Sequence, residues 1–178
     1  MSARQQQTRW NPDEYRIARR KMVEKQLVGR GIKDQRLLEV FSKIPRHFFV
    51  DEAQAAQAYL DTPLPIGYGQ TISQPYIVAL MIEALDLTSS DKILEIGSGS
   101  GYQTAILAAL AAEVLAVERI EALFNKGREN LGRLNLKNIR LKLAAGTLGW
   151  PAEAPFHAVL VPPPPPRAPP PPLAPLAP

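Results

Sequence analysis

Leu94-Glu-Ile-Gly-Ser-Gly-Ser-Gly101 is the stretch that decides how this chain folds. The run from Lys92 to Ile96 is short and apolar and reads as a buried parallel strand. Glycines follow at 97, 99 and 101, and a helical pattern begins at Tyr102 and runs to Ala112. Strand, glycine turn and helix in that order bring backbone close to a nucleotide-like ligand in α/β proteins. The spacing is G-x-G-x-G, and Tyr102 stands where a dinucleotide fingerprint wants its third glycine. That departure, with acidic Glu95 just ahead of the glycines, points away from NAD and toward S-adenosylmethionine. The alternative reading is an ordinary glycine-rich loop.

Downstream, Val114–Glu118 reads as a second strand, 120–134 as an amphipathic helix, Ile139–Leu143 as a third strand and Ala158–Val161 as a fourth. This alternation predicts a parallel sheet with right-handed crossovers, an α/β Rossmann-like fold with its ligand at the carboxyl ends of the strands. Upstream, 13–30 has a helical period through Tyr15, Ile17, Ala18, Met22, Val23 and Leu27. Asp34 caps a second helix carrying Leu37, Leu38, Phe41 and Ile44, which Pro45 stops. A small-residue helical stretch covers 52–59. Two prolines and two glycines make 61–73 a shaped loop rather than a strand, and Gln74-Pro75 opens a helix over 76–87. The expected organisation is a loose N-terminus (1–12), an N-terminal helical and substrate-loop segment (13–88), a partial ligand-binding α/β domain (89–161) and a proline-rich tail (162–178). A normal doubly wound domain needs more strands after the fourth, so the sheet is expected to be incomplete.

The chain has 178 residues, enough for one domain with a proper core. Its net charge is +4, with Lys and Arg scattered. The densest basic stretch, Arg16 to Lys25, is interrupted by Glu24 and reads as a solvated helix face, so no nucleic-acid partner is expected. There is no cysteine, hence no disulfide framework or thiolate metal site, and two histidines, His47 and His157, exclude a His-rich metal centre. No apolar run approaches the ~20 residues that span a bilayer, and the polar N-terminus lacks a signal-peptide core, so the expectation is a cytoplasmic protein with no membrane partner.

Gly97, Gly99 and Gly101 supply a turn without side chains, with backbone N–H groups at a helix N-terminus. Glu118 ends the second strand, where an acid can accept hydrogen bonds from both ribose hydroxyls; an ion pair with Arg119 or a helix N-terminal charge is the alternative. Glu95 orients the turn or the methionine part of a ligand. Thr71 and Ser73 sit just before a helix, either capping it or serving the unusual loop that holds them. No nucleophile–base pair stands out. A carboxylate acceptor needs none, because a carboxyl near pKa ~4 is already ionised at neutral pH.

With these residues in hand, the chain closely resembles the protein-L-isoaspartate O-methyltransferases from about Met22 to Val161. Pro65-Ile-Gly-Tyr-Gly-Gln-Thr-Ile-Ser-Gln-Pro-Tyr-Ile-Val78 is the most specific part, and Ile44-Pro-Arg-His-Phe-Phe-Val50 also looks like the family. The resemblance implies repair of isoaspartyl (and D-aspartyl) residues in damaged proteins by methylation of the α-carboxylate from S-adenosylmethionine. It implies Ser73 as the active-site residue with Thr71 beside it. It places Gln70 and Ile72 at the cofactor pocket and gives cofactor-holding roles to Glu95, the glycine turn and Glu118. The family usually reads Gly-Asp-Gly after the third strand; here Ala144-Ala145-Gly146 stands there, leaving Gly146 as the matching cofactor residue. Phe156-His157 and Pro162 to Pro166 also depart from the family. These changes cluster after position 143, and each is reachable by one base becoming C, which suggests a degraded sequence or a decayed gene; with strands missing after the fourth, weak or absent activity is expected. The rival expectation is an inactive remnant or a noncatalytic cofactor-binding adaptor whose polyproline end meets an SH3-like or WW-like domain.

Overall fold

The computed structural model describes residues 15–146 and 149–161. The loose N-terminus expected over 1–12 and the proline-rich tail expected over 162–178 lie outside the described residues.

Four parallel strands form the sheet. They are β3 (Lys92–Ile96), β4 (Glu113–Glu118), β5 (Ile139–Leu143) and β6 (Ala158–Leu160), in the order β5-β4-β3-β6. β3 pairs with β4 from Lys92↔Glu113 to Ile96↔Val117 and with β6 from Ile93↔Ala158 to Glu95↔Leu160. The helix after the glycine turn, α4 (Tyr102–Leu110), is buried nearly all round, which is why its sequence is apolar on every side. Helix α5 (Glu121–Gly132) follows β4 and keeps its apolar Leu123 and Leu131 inward. The two faces of β3 and β4 are covered unequally. Ile93 and Val114 join the main core under the helices. Leu94, Leu115 and Val117 face the other way, against Ile96, Ala144, Trp150 and Phe156.

The N-terminal segment is helical, as expected, with α1 (Arg16–Lys21), α2 (Gln35–Lys43) and α3 (Pro75–Glu83). Asp34 caps α2, its Oδ1 accepting from the amides of Arg36 (2.8 Å) and Leu37 (3.2 Å). Leu37, Leu38 and Phe41 are the buried stripe of α2. The same hydrophobic core runs from Met22 in this segment to Leu160 in the last strand. Arg36 ties the parts further by donating to the carbonyls of Leu87 (3.1 Å) and Leu110 (3.0 Å).

Four local expectations are corrected. The first helix changes winding, with a π-helical turn over Met22–Leu27 and a 3₁₀ turn over Val28–Arg30. Ile17, placed on its apolar face by periodicity, is 69% exposed. Arg19, read as part of a solvated basic face, is buried: its Nε donates to the Ser42 carbonyl (2.8 Å) and its Nη1 to the Tyr59 hydroxyl (3.3 Å). Finally, 61–73 holds a β-hairpin, β1 (Leu64–Gly67) against β2 (Gln70–Ile72). Leu64 and Ile66 are buried and Pro65 and Gly67 exposed, a two-residue period that the prolines and glycines disguised. A two-stranded ribbon is all edge, and an edge tolerates proline.

Candidate active site

The sheet geometry sends β3 into the glycine turn and turns its last residues toward the hairpin. Thr71, Ile72 and Ser73 meet Glu95, Gly97 and Gly99 around one recess of about 60 Å³, with Ile66, Val78, Ser98, Ser100, Tyr102 and Gln103 completing its wall. Residues more than twenty positions apart in sequence are thus brought to one place. Gln70, Gly101, Glu118 and Gly146 do not line this recess. Gln70 sits in the same short strand as Thr71.

The three glycines have different surroundings. Gly97 has φ +83° and open space where a side chain would project, so it leaves room for a ligand. A Cβ on Gly99 would lie 3.1 Å from Ile66 Cδ1, in the hairpin. Gly101 is buried against α5, where a Cβ would meet Leu131 Cγ at 3.0 Å. The turn amides are committed within the protein, contrary to the expectation that they present themselves to a ligand. Gly97 N–H donates to the Val117 carbonyl (2.7 Å), Gly99 N–H to Glu118 Oε2 (2.9 Å) and Gly101 N–H to the Ser98 carbonyl (2.9 Å).

Glu118 is buried at the end of β4. Its Oε1 accepts from the amides of Arg119 and Ile120, both at 2.8 Å, and its Oε2 holds Gly99. It therefore clamps the glycine turn to the entry of α5, the helix N-terminal alternative; Oε1 is fully used and Oε2 keeps one lone pair.

Glu95 has no exposed surface. Thr104 Oγ1 donates to its Oε2 (2.5 Å) and Gln103 Nε2 to its Oε1 (2.9 Å), so α4 orients it. Burial pushes its pKa up to about 7, the two hydrogen bonds pull it back in part, and the nearby charge of Glu118 adds to the rise. A carboxyl poised there gains its charge readily when a cation arrives. The hydroxyls of Thr71 and Ser73, by contrast, make no hydrogen bond among the described residues and are partly exposed. Neither caps α3, whose N-cap is Gln74 without a side-chain bond.

Several residues of the site escaped sequence reasoning. A Cβ on Gly127 of α5 would lie 3.0 Å from the Gly99 carbonyl, and Asn130 Nδ2 donates to the Ser100 carbonyl (3.0 Å), so α5 props the turn from behind. A buried asparagine three residues after a glycine, on an otherwise apolar helix face, was the available signal. Gly146 is close-packed, since a Cβ there would come within 2.4 Å of Ile96 Cγ2 at the end of β3. Ala144 N–H donates to the Glu118 carbonyl (2.9 Å), which sets Ala144-Ala145 beside that strand end. His47 is structural, as its neighbours suggest: buried, with Nδ1 2.7 Å from the Tyr59 hydroxyl. Among the described residues, no cluster of His, Cys, Asp or Glu is suited to a metal ion, and no helix is long and apolar enough to cross a membrane. A second, larger cavity of about 380 Å³ lies between α5 and β5, lined mostly by apolar side chains such as Phe124, Leu136 and Ile139.

Known proteins with this sequence pattern and fold agree with one another. The family profile of Protein-L-isoaspartate(D-aspartate) O-methyltransferase (PCMT) matches residues 18–178. A protein-L-isoaspartate O-methyltransferase of Geobacter metallireducens is 61% identical over 145 residues, covering 82% of this chain and 67% of that protein. One from Trichlorobacter lovleyi is 58% identical over 162 residues, covering 91% and 75%. The chain thus spans between two thirds and three quarters of the length of these relatives. Among solved structures, a protein-L-isoaspartate O-methyltransferase superposes with a TM-score of 0.74 at 27% identity, covering 80% of this chain and 47% of that one. A Plasmodium falciparum PCMT in complex with S-adenosyl-L-homocysteine gives 0.66 at 25% identity, covering 80% and 72%. The α/β Rossmann-like architecture is shared with these structures. By sequence and fold together, the chain belongs to the protein-L-isoaspartate(D-aspartate) O-methyltransferase family.

Proposed function

We propose that this chain repairs damaged proteins by moving a methyl group from S-adenosylmethionine to the α-carboxylate of L-isoaspartyl and D-aspartyl residues. Family membership supports the reaction, and one observation carries the assignment of residues: Thr71 and Ser73, whose hydroxyls make no hydrogen bond among the described residues, line the same recess as Glu95 and Gly97. The residues present suit such a cofactor, with an open approach at Gly97 and a buried, near-neutral carboxyl at Glu95. When bound, adenosylmethionine supplies an electrophilic methyl group on a cationic sulfur.

The chain's own work is then alignment. Ser73, with Thr71, donates hydrogen bonds to the acceptor carboxylate and aims one oxygen at the methyl group. That oxygen is already ionised at neutral pH, so no side chain has to remove a proton. Orientation of this kind is worth up to ~7–11 kcal/mol in well-ordered reactions. Ile66, Ile72 and Val78 supply the apolar part of the wall, which strengthens the attraction between opposite charges. Glu95 meets the cationic side of the cofactor, Glu118 offers the remaining lone pair of its Oε2 to the ribose, and Gln70, Ile72, Gly99, Gly101 and Gly146 shape the rest. The 13–88 segment brings the acceptor side and 89–161 the cofactor side. The substrate is a protein or peptide, and the reading fits a cytoplasmic enzyme. The noncatalytic adaptor finds no supporting observation.

The test is methyl transfer from labelled adenosylmethionine to two peptides differing only in an isoaspartyl or an aspartyl linkage. Label appearing on the isoaspartyl peptide alone is expected. Equal labelling of both, or of neither at saturating cofactor, overturns the proposal.

A further inference from the structure

Arg46 is the largest side chain with no exposed surface among the described residues. A buried guanidinium is ordinarily matched by a carboxylate, because an unpaired internal charge is costly. Among the described residues, no carboxylate touches this one, and only the charge of Asp61 acts on it from further away. Its donors are directed instead at main chain: Nε to the Ala58 carbonyl (2.7 Å) and Nη2 to the Ser73 carbonyl (2.8 Å). Its Cζ lies 4.8 Å from the centroid of the Tyr102 ring. Nη1 and the Tyr102 hydroxyl are both buried without a well-formed hydrogen bond among the described residues, and the two side chains act on each other instead. Ser73 and Tyr102 both line the recess, so this cation stands directly behind two parts of its wall.

We propose that Arg46 is a positioning residue for the acceptor: it fixes Ser73 through its carbonyl and sets a positive charge with no carboxylate in contact behind the Ser73–Tyr102 wall, so that the recess selects an anionic carboxylate over a neutral group. The proposal rests on the recess being the acceptor site. It accounts for three otherwise wasteful features together, namely the absence of a contacting carboxylate among the described residues, the Nη1 without a well-formed hydrogen bond and the arginine bond to a serine of the recess wall. The ligand's own negative charge completes the pair. Arginine suits the task because its fork holds two carbonyls at once and keeps its proton when buried.

The test compares two peptides, one with an isoaspartyl α-carboxylate and one with the same carbon as an amide. Their binding to the chain saturated with S-adenosylhomocysteine is measured by calorimetry, for wild type, Arg46→Met and Arg46→Lys. In wild type the carboxylate peptide should bind at least about tenfold tighter, the preference expected from one charge-assisted contact. In Arg46→Met that ratio should collapse toward one, with adenosylhomocysteine affinity changed less than about twofold. An unchanged ratio, or cofactor affinity falling in step with peptide affinity, overturns the assignment.

If Arg46→Met does not fold, Arg46→Lys decides. A buried ammonium sheds its proton as pH rises, whereas a guanidinium does not. The ratio for Arg46→Lys should therefore fall relative to wild type between pH 6 and pH 9, and parallel curves overturn the proposal. Glu95 titrates in both proteins, so the variant is read against wild type at each pH; burial raises Tyr59 and Tyr102, and the other charged groups that act on this cluster, Asp61 and Arg19, are common to both proteins. Wild type that binds neither peptide sinks the reading of the recess as well, whereas binding with equal affinity sinks only the role of Arg46.

Discussion

Replacing Glu95 with glutamine should make the protein more stable in mild alkali and flatten its response to pH. The carboxyl is fully buried, and its pKa stands at about 7 against an ordinary 4.5. In the unfolded chain it returns to the ordinary value. Between those two pH values the folded state keeps a proton that the unfolded state has released, so stability falls as pH rises. The contribution is fully present below the unfolded value of 4.5 and lost once pH passes the folded value of about 7. At ~1.4 kcal/mol per pH unit, the loss comes to roughly 3 kcal/mol. Glutamine has nearly the same shape, stays neutral throughout, and its carbonyl can still accept from Thr104 or Gln103. The assay is urea unfolding of both proteins, followed by circular dichroism, at steps from pH 4 to pH 9. Wild type should lose about 3 kcal/mol relative to the variant between pH 5 and pH 8. Two parallel curves would refute the reasoning, because they would mean the carboxyl is no drier in the folded state than in the unfolded one.

Other substitutions test other parts of the site. Ala145→Asp restores an acid beside the end of β4 and should tighten adenosylhomocysteine binding by roughly 10- to 150-fold, the worth of a hydrogen bond to a charged group, as read by calorimetry. Ser73→Ala should lower kcat on an isoaspartyl peptide by about the same factor while leaving adenosylhomocysteine affinity within about twofold. Gly127→Ala should destabilise by about 1–2 kcal/mol in thermal melts although helix propensity alone favours alanine by up to ~1 kcal/mol, because its Cβ meets a Gly99 carbonyl whose residue is pinned to Glu118. A higher melting temperature for Gly127→Ala would show that the turn yields.

The sheet was legible because each strand is short, apolar and punctuated. β3 and β5 fall on the bounds their sequences suggest, and the others differ by a residue or so. The hairpin was hidden because Pro65 and the glycines at 67 and 69 carry loop chemistry in what proves to be an edge ribbon. Arg19 and Arg46 were hidden for another reason: a charge is exposed by default, and only tertiary partners such as the Ser42 and Ser73 carbonyls make its burial tolerable. At the site, the glycine turn, Glu95 and Glu118 could be picked out from local order. The approach of 71–73 to that turn is a long-range contact that no periodicity encodes, so its importance came from resemblance. The supports supplied by Gly127, Asn130, Gln103 and Thr104 depend on how α4 and α5 are rotated on the sheet, which residue type alone does not settle.

Leu160, the last rung of β6, stands opposite Glu95 on β3. Among the described residues the strand has three residues and a single hydrogen-bonded neighbour, so it is held there by far fewer bonds than the centre of the sheet. Short margins fray first. Each fraying event would wet the carboxyl beside it and return it toward everyday acidity, charging the cleft wall before any ligand arrives. Proton uptake at the middle of the molecule is thereby geared to the grip of its outermost strand, and amide exchange at Val159 and Leu160 should quicken in step with ionisation of Glu95.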